Sequence, residues 1–391
     1  MSAAGPGANR RFDDADRRAM SRALTLARRG RSTTAPNPMV GSVVVRDGEF
    51  VGEGWHRRAG GEHAETIALE HAGDRARGGT IYVTLEPCNH DGRTPPCAGR
   101  ILESGVRRVV FAHRDPNPEV TGGGAARLRE AGLRVESGLL ADQAVELNVP
   151  FLTRVLHGRP AVTLKWAMSL DGRIATATGD SQWISSEQGR RWALELREEH
   201  QAIVVGSGTA LADDPRLDRR LGRAEGPIVR VVLDRRLRLP AGARMFEIEG
   251  PVVVYTAEPA AAAGGEAAEW ADRRDGLREA GADVVVLEAV EPAAVVADLA
   301  GRGVSAVLVE GGAEVLEAFA SSGVWERAAV CCAPLLIGGG AAPGPLGGDG
   351  APKLADAWRL DRLQVRRRGP DVILLGYRQG CLPGLSKSVA A

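Results

Sequence analysis

Net charge is what this 391-residue chain lacks: 50 basic residues balance 50 acidic ones, and the pI is near 7.1. That balance argues against a broad electrostatic footprint for nucleic acid or a membrane surface, although a small anionic substrate needs only local positive charge. Lysine is scarce, three residues against 47 arginines, so any single arginine starts as a solvated charge rather than a site. No eighteen apolar residues run together, and residues 1–11 have no apolar stretch of the signal-peptide kind, so a soluble, cytoplasmic protein is expected. Cysteines are few and odd in number, five in all, which disfavours a disulfide framework and suits reduced thiols; Cys331, Cys332 and Cys381 read as bystanders. No internal repeat is visible.

What is present begins with His63-Ala64-Glu65, Pro87-Cys88 and Cys97. One imidazole and two thiolates make three ligands for Zn2+, and a tetrahedral ion with an open fourth position lowers the pKa of water to about 7. Glu65, beside the metal without ligating it, is the expected proton carrier toward a departing amine. A lone His-x-Glu is a chance pattern. Here, however, 40–45 reads as a strand, 63–71 as a helix and 80–85 as a strand with the first thiol just beyond it, which predicts a βαβ unit bringing the ligands together. The chemistry implied is hydrolytic removal of an amino group from a heterocycle.

The length exceeds what one core usually supports, and two α/β domains are expected, 11–151 and 160–380, with a linker over 152–159. Strand-like runs at 202–205, 228–233, 252–255, 284–287 and 306–309 alternate with helical stretches such as 187–200. The Ala-rich piece 258–274 reads as a surface helix, and the residues after Cys381 as a disordered tail.

Nucleobase deaminases commonly space the two thiols as Cys-x-x-Cys. Here eight residues intervene, Asn89-His90-Asp91-Gly92-Arg93-Thr94-Pro95-Pro96. That loop resembles the bifunctional deaminase and reductase family of riboflavin biosynthesis. Ala35–Gly41, Gly52–Gly60, Lys165–Gly172, Ser181–Ile184, Leu211–Pro215 and Val309–Gly312 resemble the same family, over about residues 11–378. The resemblance implies an N-terminal cytidine-deaminase-like zinc domain and a dihydrofolate-reductase-like domain that uses NADPH. The first would deaminate a 2,5-diaminopyrimidinone ribosylamine 5'-phosphate; the second would reduce the ribosyl group of the resulting aminouracil to ribityl. A homo-oligomer, dimer or tetramer, is implied as well.

In the deaminase half, Asn37 offers a donor and an acceptor to a pyrimidinone edge, and His56 is a second candidate. Arg93 in the inserted loop suits a terminal phosphate, with His90 in support, although Asp91 departs from the family pattern and adds a negative charge. In the reductase half the residues alone say little beyond the Gly311-Gly312 turn, a place for backbone N–H groups to meet phosphate. The resemblance assigns cofactor contacts to Ala167, Trp183, Thr209, Asp213 and the run Gly312, Ala313, Glu314, Val315, Leu316, Glu317 and Ala318. It assigns substrate contacts to Ser181, Arg197, Leu217, Arg220 and Glu310, the two arginines facing a ribose phosphate. Glu310 or Asp213 assists proton movement. Arg235 stands where a small hydroxyl residue is expected near the cofactor, so Arg235 or Arg236 is expected to meet the 2'-phosphate.

Three other readings differ in what they require. A tRNA or nucleoside deaminase would carry Cys-x-x-Cys and, for tRNA, a basic face. A single-function zinc deaminase of another nucleobase or nucleoside would have a non-catalytic second domain and oxidise no NADPH. A zinc-stabilised binding module would need a fourth protein ligand, with His90 or His56 as candidates.

Overall fold

The computed structural model describes residues 11–89, 96–117, 123–222, 224, 226–259 and 265–382. The chain divides into two compact units that meet in sequence between Asn148 and Val149.

The first unit runs α1 (Asp14–Ala27), β1 (Gly41–Arg46), β2 (Glu49–Trp55), α2 (Ala64–Ala72), β3 (Thr80–Leu85), α3 (Cys97–Glu103), β4 (Arg108–His113), α4 (Gly123–Glu130), β5 (Arg134–Ser137) and α5 (Ala141–Leu147). Its sheet has the order β2-β1-β3-β4-β5, with β3, β4 and β5 parallel and β1 antiparallel to both its neighbours. The expected βαβ unit therefore needs a correction. Its first strand is β2, not β1, because Asp47 and Gly48, both at positive φ, close a two-residue hairpin between β1 and β2. The central strands are apolar on both sides, as a doubly covered sheet requires. Ile81, Val83, Val109 and Phe111 pack with residues of α2, α3 and α4, while Tyr82 and Val110 pack with Met20 and Leu24 of α1.

The second unit opens with α6 (Val149–His157), so most of the expected linker is helical, with buried Leu152 facing inward. There follow β6 (Ala161–Ser169), α7 (Glu187–Arg197), β7 (Ala202–Gly206), α8 (Ser207–Asp213), β8 (Val229–Leu233), β9 (Val252–Ala257), α9 (Gly265–Glu279), β10 (Ala282–Leu287), α10 (Pro292–Gly301), β11 (Ala306–Val309), α11 (Ala313–Ser322), β12 (Arg327–Ala333), β13 (Leu360–Arg368) and β14 (Asp371–Arg378). They form a nine-stranded sheet of order β10-β9-β8-β7-β11-β6-β12-β14-β13, parallel from β10 to β12 and antiparallel through β14 and β13. Alternate residues serve opposite faces: Val204, Val231, Val253 and Val307 pack in one core, Val205, Val232 and Val254 in another. In such a sheet ligands meet the C-terminal ends of the strands. Among the described residues no helix is long and apolar enough to cross a membrane.

Candidate active sites

In the first unit two helix starts and one strand end converge. His63 is the N-cap of α2, Cys88 lies three residues beyond β3, and Cys97 is the first residue of α3. The His63 Nδ1 is 3.1 Å from Cys97 Sγ and 3.5 Å from Cys88 Sγ, and the three ligand atoms all lie within 4.8 Å of one another. Such a set fits a tetrahedral ion through one nitrogen and two sulfurs. The Cys97 backbone N–H points at Cys88 Sγ at 3.4 Å. Hydrogen bonding from Cys97 and His63 holds the Cys88 thiol down at about 4, against the opposing effect of burial, while the His63 imidazole beside Cys88 is raised to about 8. The Cys97 thiol is pushed the other way by its bond to Cys88 and by burial.

Glu65 lies in the first turn of α2, 4 % exposed, and burial raises its carboxyl above the ordinary range. Its chain neighbours are placed by close packing. A Cβ on Gly54 of β2 would lie 2.4 Å from the Ala64 carbonyl oxygen, and one on Gly52 would lie 2.1 Å from that of Ala68, so glycine lets α2 lie directly on the sheet. His56, just past β2, is buried; its Nδ1 bonds the Glu62 carbonyl oxygen at 2.9 Å and its Nε2 meets Asn37 Nδ2 at 3.2 Å. Burial lowers the His56 pKa, so the ring is neutral, donates through Nδ1 and accepts the Asn37 amide proton. Asn37 Oδ1 is left to accept from another group. His56 is a neighbour of His63, with ring centroids 5.7 Å apart, and not a member of the three-ligand cluster. His90 and Arg93 lie outside the described residues.

In the second unit a cleft of about 2060 Å³ runs along the strand ends. Ala167, Ser181, Trp183, Arg197, Thr209, Asp213, Leu217, Arg220, Arg235 and Glu310 all line it, as do Gly312, Ala313, Glu314, Val315 and Ala318. Leu316 and Glu317, also expected there, do not. The helical repeat turns Leu316 wholly into the core with Phe319, and half-buried Glu317 accepts a hydrogen bond from Ser321. Gly312 caps α11 at the mouth of the cleft, and a Cβ on Gly311 would lie 2.7 Å from Val315 Cβ.

Arg197 lines the cleft beside Glu310, which its guanidinium holds bidentately, Nε to Oε1 at 3.1 Å and Nη2 to Oε2 at 2.7 Å. Burial would raise the Glu310 carboxyl, but Arg197 and Lys165 prevail and keep it at about 2, hence ionised. Arg220 stays exposed in the cleft, steadied by Asp218 at 2.8 Å. Trp183 is 68 % exposed, so it is no core residue, and the Arg190 guanidinium lies 4.8 Å from its ring centroid. Gln182 bonds Asp213 at 2.8 Å, tying the segment that carries Trp183 to the end of α8. Lys165, one of three lysines, lines the cleft and was missed. Its scarcity and its place on a strand running to Ser169 were the available signals.

Comparison with known proteins agrees with both halves. Residues 13–113 match the cytidine and deoxycytidylate deaminase zinc-binding region, and residues 160–374 match the RibD C-terminal domain. The riboflavin biosynthesis protein RibD of Bacillus amyloliquefaciens is 44 % identical over 358 residues, 91 % of this chain and 94 % of that one. Its counterpart in Escherichia coli K12 is 40 % identical, covering 91 % of this chain and 97 % of that one. Among solved structures, Acinetobacter baumannii RibD is 37 % identical with a TM-score of 0.77, over 93 % of this chain and 99 % of that one. A Thermotoga maritima protein described as a diaminohydroxyphosphoribosylaminopyrimidine deaminase/5-amino-6-(5-phosphoribosylamino)uracil reductase is 34 % identical with a TM-score of 0.76, over 93 % and 98 % of the two chains. An N-terminal zinc deaminase unit joined to a C-terminal RibD reductase unit, matched nearly end to end, places this chain in the RibD family of riboflavin biosynthesis proteins.

Proposed function

We infer that the chain is a bifunctional enzyme of riboflavin biosynthesis. Its first unit hydrolytically deaminates 2,5-diamino-6-(5-phosphoribosylamino)pyrimidin-4(3H)-one. Its second uses NADPH to reduce the ribosyl group of 5-amino-6-(5-phosphoribosylamino)uracil to ribityl. The observation that carries this is the cluster of His63, Cys88 and Cys97 with buried Glu65 at its side, in a chain that also holds a reductase cleft.

Zinc held by His63, Cys88 and Cys97 supplies, when bound, Lewis acidity and a nucleophile at neutral pH. Glu65 then moves the protons: its raised affinity lets it accept one during attack at C2 and deliver it to the exocyclic nitrogen that leaves as ammonia. Asn37, oriented by His56, receives a ring N–H or amino proton at Oδ1 and fixes which carbon faces Glu65. His90 and Arg93 are proposed for the substrate phosphate.

In the second unit NADPH, when bound, supplies the hydride. The start of α11 with Gly312 suits the pyrophosphate, Thr209 and Trp183 flank it, and Arg220 takes the ribose phosphate. Glu310, fixed by Arg197, faces the ring-opened ribose, with Lys165 beside it to steady the proton movements. A cytoplasmic homo-oligomer belongs to the same reading; Leu363 and Val365, exposed on the edge strand β13, are apolar surface that a second copy would cover.

The test is ammonia release and NADPH oxidation measured on the diaminopyrimidine phosphate, with each unit inactivated in turn. Both signals are expected from the wild type. Ammonia without NADPH oxidation would reduce the second unit to a scaffold.

A further inference from the structure

The groups that face the ribosyl substrate sit on separate stretches of the second unit. The end of α7 carries Arg197, whose guanidinium holds Glu310, and the stretch after α8 carries Leu217 and Arg220. That stretch has no regular structure to fix it, and Leu217 adds a demand of its own, since a leucine at φ +49 persists only where surrounding contacts hold the backbone. Part of the hold is apolar, because Leu217 is buried with Ile203 and Val205 of β7. The rest comes from α7.

Glu198, the C-cap of α7, is 6 % exposed and spends both carboxylate oxygens on the stretch: Oε1 accepts the Leu221 N–H at 3.0 Å and Oε2 accepts the Ala224 N–H at 2.9 Å. Arg219 reaches back the other way. Its guanidinium donates from Nε to the Arg197 carbonyl oxygen at 3.3 Å, from Nη2 to that of His200 and from Nη1 to that of Gly226 at 3.0 Å. A cation with fixed donors thus sits on the negative end of the helix. Between these two clasps Arg197 Nη1 donates to the Asp218 carbonyl oxygen at 3.2 Å, and the buried Asp218 carboxylate accepts from Arg220 Nε at 2.8 Å. Arg197 and Arg220 are therefore parts of one braced assembly. Neither Glu198 nor Arg219 lines the cleft.

A ribosyl phosphate presents its reacting carbon, C1', at one end of the sugar and its phosphate at the other, so a site that reads both must keep its two contact groups at a matching separation. We propose that Glu198 and Arg219 are positioning residues that set the separation between the Arg197–Glu310 pair at the reacting end and Arg220 at the phosphate, and so give the reductase its preference for a phosphorylated substrate. The proposal rests on the reductase reading and adds to it how that preference is built. The start of α11, at the cofactor end of the cleft, takes no part in the brace, so loosening the brace is felt by the substrate and not by NADPH.

The experiment is steady-state NADPH oxidation by the full chain on 5-amino-6-(5-phosphoribosylamino)uracil and on its dephosphorylated riboside, alongside NADPH titration, for the wild type, Glu198→Gln, Arg219→Met and Arg219→Lys. The wild type is expected to show at least a hundredfold higher kcat/KM on the phosphorylated compound. Glu198→Gln leaves one accepting oxygen for two N–H groups, and Arg219→Met keeps the stem without the donors. Both are expected to raise KM for the phosphorylated compound tenfold or more while kcat falls less than threefold, and to change NADPH affinity and kcat/KM on the riboside less than twofold. Arg219→Lys, which retains the charge and part of the hydrogen bonding, is expected to recover part of the loss. Disruption of the fold would instead lower both substrates and the cofactor together; that outcome, or an unaltered preference in the variants, overturns the proposal. A wild type that reduces both compounds equally well overturns it alone, and one that reduces neither removes the reductase reading with it.

Discussion

Glu65 and His200 show how one physical effect, burial of an ionisable side chain, yields different consequences in the two units. Glu65 is buried next to the ligand cluster, where a carboxyl with raised proton affinity is a proton carrier. Glu65→Gln keeps the shape and removes the transferable proton. It is expected to retain zinc, to lower ammonia release by about a hundred- to ten-thousandfold and to leave reduction of the deaminated substrate unchanged; loss of metal from the variant would contradict the role. His200 is buried far from any ligand cluster in sequence, bonded to the Leu196 carbonyl oxygen at 2.6 Å and to Thr163 Oγ1 at 2.9 Å. Burial and the nearby Arg327 push its imidazole down to about 4. The folded state therefore holds it neutral while the unfolded chain takes up a proton below about pH 6.5, so stability falls as the pH drops from 6.5 to 4 and levels off below that. Integrated over that window the effect is about 3 kcal/mol. His200→Gln is expected to flatten the dependence of the second unit's melting temperature on pH between 6.5 and 4; an undiminished slope would locate the titrating group elsewhere.

At the scale of elements, the deaminase centre depends on how tightly α2 lies on β2. The helix supplies His63 and Glu65, and the sheet makes room for it with Gly52 and Gly54. Gly54→Ala places a methyl group 2.4 Å from the Ala64 carbonyl oxygen and 2.6 Å from the Ala68 nitrogen, so the helix must shift. Zinc content and ammonia release are expected to fall at least tenfold while NADPH oxidation on the deaminated substrate keeps its rate. Unchanged metal content would show that the ligands tolerate the shift. These glycines also mark what a linear reading overlooks. Strands 80–85 and 306–309 were legible because buried parallel strands are runs of Val, Ile and Leu. The strand β2 was missed, since Gly52 and Gly54 dilute its apolar pattern, although Asp47-Gly48 was a hairpin signal. The segment over 152–159 read as a linker because Gly158 and Pro160 dominate its end, yet Leu152 is buried and most of it is helix.

At the scale of the whole molecule, two units with separate cores carry two separate chemistries. Ligand-linked stability should then be local to the unit that binds. Removing zinc with a chelator is expected to lower only the calorimetric transition of the unit containing residues 11–148 and to spare NADPH oxidation; a single transition shifting as a whole would mean the units unfold together. The zinc half was legible because metal chemistry limits ligand type and spacing so strongly that His63, Cys88 and Cys97 stand out unaided. The reductase half was not, because hydride transfer asks for placement rather than a distinctive side chain, and placement comes from strands distant in sequence. The bidentate pairing of Arg197 with Glu310 joins residues 113 positions apart, and no local pattern announces it.

The most direct measurement is the metal content of purified, fully active protein, determined by elemental analysis alongside ammonia release. One zinc per chain is expected, with its loss on Cys88→Ser or Cys97→Ser abolishing ammonia release. Full deaminase activity in protein free of any transition metal would contradict the account at its base.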